Sequence, residues 1–281
     1  MTKHRGFTLV ELVLIIVLLG IVGVGAASFL RGASNIYLDV TERDALLHSS
    51  SFATERLARE LAQAVPNSVR IKGDSTVHCV EFVPINWSAI YLQMPAVGES
   101  SPQLDVIELF DIDNNPYSIE SSDVAILYPL QAAHVYDPSN NRRQSVLSCS
   151  DDGDGNCATD DDSDAIVQLS VADGFAESSP TRRVYIANTA ISYCLRNNDL
   201  YRHESSISLE QTVFTGGGDL MAENITNTLS SSPSTSQALQ DPFQSIAASL
   251  TRGGYTRLNF LFTRGDEQLS VVREVQIPNV P

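Results

Sequence analysis

One apolar run near the N-terminus constrains this chain more than any other feature. Residues 7–30 are almost all apolar, and Glu11 is their only charge. About 20 apolar residues in a helix span the hydrocarbon core of a bilayer. The residues ahead of the run, MTKHRG, are polar and basic. Lys3 and Arg5 hold that flank in the cytoplasm by the positive-inside rule, with Arg31 and the polar stretch after it on the far side. An ordinary secretory signal has a shorter apolar region, roughly 7–15 residues, before a small-residue cleavage site. Ala26-Ala27-Ser28 imitates such a site, so a cleaved signal and a plain single-pass anchor stand as alternatives. Neither accounts for Glu11, because a carboxylate inside an apolar span is costly in lipid and calls for a partner.

Gly6-Phe7-Thr8-Leu9-Val10-Glu11, followed by Leu12-Val13, resembles the prepilin processing site of type IV pilins and type II secretion pseudopilins. A glycine, an aromatic residue and a glutamate fall in register before a long apolar run. The resemblance implies cleavage between Gly6 and Phe7 by a membrane-embedded prepilin peptidase, and N-methylation of Phe7. It also implies that Glu11 neutralises the positive N-terminus of a neighbouring subunit in a filament. The physics supports both roles. Gly6 has no side chain to keep a protease from the backbone. Glu11 lies about one helical turn past the new N-terminus. A charge pair in an apolar filament core selects register, since an unpaired partner is costly there. The implied fold is α+β, a long N-terminal helix packed on an antiparallel β-sheet domain with long loops. The implied partners are the peptidase, the major pilin, other minor pilins and the inner-membrane assembly platform. The implied location is the bacterial inner membrane as a single-pass precursor, with the C-terminal domain periplasmic, and then the extracellular filament.

The organisation expected is a leader at 1–6, a transmembrane and filament-core helix at 7–30, an amphipathic continuation at 31–65 and a β-rich globular domain at 66–281. Gly20, Gly23 and Gly25 soften the first part of the helix and permit close helix contact. Further on, Leu46, Leu47, Phe52, Ala53, Leu57, Leu61, Ala64 and Val65 recur at three- and four-residue steps as one apolar face. Glu55–Arg59 and Arg56–Glu60 are opposite charges four apart, and Pro66 ends the helix. Residues 41–44 (TERD), 51–70 and 273–281 resemble minor pilins more than major ones, those of the mannose-sensitive haemagglutinin pilus above all.

Beyond Pro66 the pattern predicts strands at 77–83, 106–110, 165–171, 183–186, 190–195, 200–203, 257–262 and 269–276. Arg196-Asn197-Asn198-Asp199 and Gly265-Asp266-Glu267 supply hairpin turns. The four cysteines, Cys79, Cys149, Cys157 and Cys194, form no C-x-x-C pair, which disfavours zinc or thioredoxin chemistry. An even number in an exported domain suits two disulfides. Of the three pairings possible, proximity favours Cys149–Cys157, leaving Cys79–Cys194.

Residues 149–164, CSDDGDGNCATDDDSD, form an acidic loop. Asp152, Asp154 and Asn156 alternate like the first ligands of an EF-hand. Cys157 stands where that loop needs glycine, and Ser163 where it needs glutamate. With Asp160 and Asp162 the stretch is either a calcium site of another kind or a solvated acidic loop; no other cofactor is expected. Residues 216–241, rich in Gly, Ser, Thr and Asn, read as a mobile or exposed contact loop.

The formal charge is −16. Loss of Lys3 and Arg5 with the leader leaves 16 basic against 34 acidic residues, or −18. That balance repels phosphate backbones, so nucleic acid is not an expected partner. The chain has no G-x-S-x-G, no H-E-x-x-H and no Walker loop. His203-Glu204 is not followed by the second histidine, and Gly216-Gly217-Gly218 lacks a lysine after it. No catalytic constellation appears, so an enzyme is not expected, and the resemblance above implies a structural function, that of a minor pilin. A minor pseudopilin of type II secretion and a tip adhesin or ligand-binding module are the alternatives.

Overall fold

The computed structural model describes residues 8–107, 117–151, 157, 165–233, 240–246, 254–265 and 267–277. The chain divides into two units, Met1–His48 and Ser49–Pro281. A single helix, α1 (Leu9–Ala62), enters both.

In the first unit, Leu9–Ser34 is a 26-residue apolar helix, with no buried residue in its most apolar stretch. At 1.5 Å per residue it is about 39 Å long, more than the hydrocarbon thickness of a bilayer. It is apolar around its whole circumference, a pattern that suits lipid or other helices as surroundings rather than water. Gly20, Gly23 and Gly25 leave the helix unbroken, and a side chain at any of them would meet nothing within 4 Å.

In the second unit, the last turns of α1 bury Ser50, Ala53, Thr54, Leu57, Ala58 and Leu61. Of the eight residues read as the apolar face, Leu46, Ala53, Leu57, Leu61, Ala64 and Val65 are buried. Phe52 and Leu47 are exposed, and the small polar residues Ser50 and Thr54 take the buried positions. The three- and four-residue steps leading back from Leu61 through Leu57 fall on 53–54 and 50, not on 52. The helix also stops before Pro66. The Gln63 and Ala64 amides bond to Glu60 and Leu61, three residues back, and tighten the last turn. The Val65 amide then bonds to the Val83 carbonyl (2.8 Å), which carries the chain into β structure.

Three sheets follow, and every pairing between their strands is antiparallel. In chain order the elements are β1 (Arg70–Gly73), β2 (Val77–Phe82), β3 (Trp87–Gln93), β4 (Gln103–Ile107), β5 (Val124–Leu127), the short helix α2 (Ala132–Tyr136), β6 (Arg143–Ser150), β7 (Ile166–Val171), β8 (Arg183–Ala187), β9 (Ala190–Arg196), β10 (Asp199–Ser205), β11 (Asp219–Ala222), β12 (Phe243–Ile246), β13 (Tyr255–Arg264) and β14 (Glu267–Gln276). β1-β2-β9-β10-β11 form one sheet and β12-β13-β14 another. β3-β4-β7-β6-β5-β8 close into a barrel, a feature absent from the sequence reading. Its core holds Leu104, Val106, Val167, Leu169, Val171, Phe175, Val184 and Ile186. The β9–β10 turn has Asn197 and Asn198 at φ 50° and 67°, the left-handed pair that a tight hairpin requires.

Cys79 and Cys194 are directly opposite on β2 and β9, with Cα atoms 4.1 Å apart, and are disulfide-bonded. Cys149 at the end of β6 is bonded to Cys157. The first bond closes 115 residues, and a loop of that size is worth on the order of 4–5 kcal/mol in chain entropy. Charges tie α1 to the sheets. Arg202 of β10 bonds to Glu60 (3.1 Å), which also holds Arg56. Glu55 pairs with Arg273 of β14 rather than with Arg59.

Leu57→Ala should destabilise the folded chain by about 2–5 kcal/mol, whereas Phe52→Ala should stay within about 0.5 kcal/mol. Urea unfolding of the detergent-solubilised chain would compare the two; equal losses would contradict the assigned stripe.

Candidate functional site

Among the residues singled out near the N-terminus, Gly6 and Phe7 lie outside the described residues. Thr8 and Glu11 lie within them. Thr8 precedes the first helical residue, and its hydroxyl accepts a hydrogen bond from the Glu11 amide (3.3 Å). The Thr8 carbonyl accepts the first helical bond, from the Leu12 amide (3.2 Å). Thr8 is thus the N-cap and Glu11 the third helical residue, the spacing of a capping box. The Glu11 carboxylate sits in the first turn, where the partial positive charge of the helix end favours an anion. This local role was missed in the sequence reading, although Thr8-Leu9-Val10-Glu11 carries the T-x-x-E signature.

The proposed calcium ligands Asp152, Asp154, Asn156, Asp160 and Asp162 lie outside the described residues. Among the described residues no group of three or more His, Cys, Asp or Glu side chains is placed to hold a metal ion.

The described part of the 216–241 loop is built into the sheets. Residues 219–222 form β11 on the edge of β10. Ile225 bridges to Phe262, and the Thr226 amide bonds to the Leu261 carbonyl (2.7 Å). Asn227 donates to the carbonyls of Gln240 and Asn259 and accepts from the Leu261 amide. Asp241, fully buried, accepts from the Ser230 amide (3.0 Å) and hydroxyl (2.7 Å). His78 of β2, also fully buried, meets the Ser230 carbonyl through Nε2 (2.8 Å). Serine, histidine and aspartate therefore converge without forming a catalytic triad. The Ser230 hydroxyl is bonded to the aspartate, and the imidazole faces a carbonyl instead of the nucleophile. The group is an anchor for the loop.

A second histidine secures the loop's start. His203 of β10 stacks on Phe214, with centroids 4.2 Å apart and planes 6° off parallel. Gly218, at φ 85°, packs on the same ring, and a side chain there would come within 2.5 Å of Cε1. Burial, with Arg196 nearby, pushes the His203 pKa below its ordinary 6.5, while Asp219 opposes the shift. The folded state therefore favours the neutral imidazole. Its contribution to stability is complete above pH 6.5 and is lost as pH falls toward the depressed folded value. His203→Phe keeps the stack and should flatten that acid limb; denaturation midpoints from pH 7 down to about 5 would check this. An unchanged slope would exclude His203 as its source.

Residues 1–27 match the family model of the prokaryotic N-terminal methylation motif. No curated protein and no solved structure matches the chain. The motif supports a pilin or pseudopilin subunit, and it covers only the N-terminal segment.

Proposed function

We propose that this chain is a minor pilin, a structural subunit of a type IV pilus of the mannose-sensitive haemagglutinin type. The observation that carries the reading is the union of a methylation motif over residues 1–27 with an apolar helix, Leu9–Ser34, exposed on every side. Prepilin peptidase cuts between Gly6 and Phe7 and methylates Phe7. The helix holds the subunit in the inner membrane until assembly moves it into the filament core. Lipid tails and packed apolar helices are similar surroundings, so little hydrophobic energy separates the two states. What distinguishes them is the charge pair between Glu11 and the methylated N-terminus of a neighbour.

The minor role is supported by the large second unit, with its barrel and two disulfides, and by the likeness at 41–44, 51–70 and 273–281. In this reading the subunit catalyses nothing. Its chemistry is done to it by the peptidase.

Mass spectrometry of the mature N-terminus tests the class: a methylated Phe7 is expected, and an N-terminus near Ser28 would refute it. Glu11→Val should leave membrane insertion intact and strongly reduce recovery in sheared filaments. Normal incorporation of that variant would remove the register role.

A further inference from the structure

The three-stranded sheet ends on a long, regular edge. β14 pairs with β13 residue for residue from Glu267 to Gln276 without a bulge. Among the described residues no strand lies on its other side. The other outer strands, β1, β11 and β12, have four residues each, against ten in β14. Proteins usually blunt a long edge with proline, lysine or a bulge, because its free N–H and C=O groups template another strand. β14, EQLSVVREVQ, contains none of these, and its charges, Glu267, Arg273 and Glu274, are of both signs and so can be matched by a partner strand.

The outward groups can be assigned. Two residues separate Arg264 from Glu267, so this pair closes the hairpin as a mutually hydrogen-bonded pair. Bonded and non-bonded pairs alternate along an antiparallel ladder. Gln268, Ser270, Val272 and Glu274 therefore direct their backbone N–H and C=O away from β13. Their side chains are exposed, on the opposite face from those paired with the buried Leu258, Phe260 and Phe262.

We propose that this edge pairs with β14 of a second copy of the chain, antiparallel and centred on Ser270. In that register Ser270 meets Ser270, and Gln268 meets Val272, as hydrogen-bonded pairs. On the other face Leu269 meets Val271 and Glu267 meets Arg273, each twice by symmetry. Leu269 and Val271 are half-buried, so their pairing extends an existing apolar surface. Arg273 already holds Glu55, and its guanidinium has donors left for a second carboxylate. Moving the centre to Val272 sets Arg273 against Val271 and loses both ion pairs, so the charges select the register. The pairing closes on itself and covers the edge instead of propagating along it. A strand pair of this length buries less than the roughly 1,200 Å² of a stable complex. The association is therefore weak and reversible, and it gains from holding two copies in one membrane. It rests on the β14 edge and on the membrane-anchoring helix, not on assembly into a filament.

Ser270→Cys in the full chain tests the idea, since all four native cysteines are in disulfides. A hydrogen-bonded antiparallel pair places Cα atoms about 5.5 Å apart, within reach of a disulfide. Mild oxidation in membranes should give a covalent dimer on a non-reducing gel. Gln276→Cys, outside the pair, should give far less. Adding Glu267→Arg to Ser270→Cys should cut the dimer about tenfold, and adding Arg273→Glu together with Glu55→Gln, which spares the new carboxylate a repulsion from Glu55, should restore it. A monomeric Ser270→Cys, equal cross-linking at Gln276→Cys, or indifference to Glu267→Arg would overturn the proposal.

Discussion

Hydrogen bonds inside α1 satisfy the peptide groups between its ends without outside help, which allows its two parts to meet different surroundings. From Leu9 to Ser34 the side chains are apolar or small apart from Glu11, Arg31 and serine hydroxyls, and among the described residues nothing buries them. From Ser50 to Leu61 one stripe is buried, and the charges beside it are bound to β10 and β14. The ends of the helix are handled locally. Thr8 caps the start, and a tightened turn at Gln63–Ala64 passes the chain to the Val65–Val83 bond. Pro66, which has no amide to bond to the Ala62 carbonyl, lies just beyond that turn.

A buried charge cluster joins several elements of the second unit. Arg70 bonds to Glu81 (2.5 Å) and to the carbonyls of Ser208 and Leu209, and it lies over the Tyr136 ring. One guanidinium thus joins β1, β2, the segment after β10 and α2. Glu81 also accepts from Ser192 of β9. Burial raises the Glu81 pKa even though Arg70 opposes the shift, so desolvation outweighs pairing there. Removing Arg70 alone would leave a buried carboxylate without its counter-ion, the costly way to break such a pair.

The α+β class, the anchor-like helix and most of the longer strands were legible because they rest on periodicity and turn residues. β9, β10, β13 and β14 are long, and Asn197-Asn198 and Gly265 mark their turns. β5 and β12 have four residues each, too few for an alternating pattern to emerge, and β6 is largely polar. Barrel closure was illegible for a different reason: it depends on β8 pairing with both β3 and β5, contacts remote in sequence. The 216–241 stretch read as a mobile or exposed loop because its one strand, β11, has only four residues and its other anchors include single side chains, Asn227 and Asp241. Composition carries no trace of such bonds. Phe52 was misassigned since hydrophobicity outranked phase, and the phase belonged to Ser50 and Thr54.

The pairing of β2 with β9 has a consequence for how this chain can change. Phe82 lies opposite Ile191, so the polypeptide leaves the five-stranded sheet and returns to it at the same place. The whole barrel occupies the position of a hairpin loop, and the Cys79–Cys194 bond fastens its neck. A lobe attached in this way can grow, shrink or be exchanged while the strands at its base keep their register. Variation gathered there would alter the outer surface of the subunit and leave untouched the sheet that grips the helix.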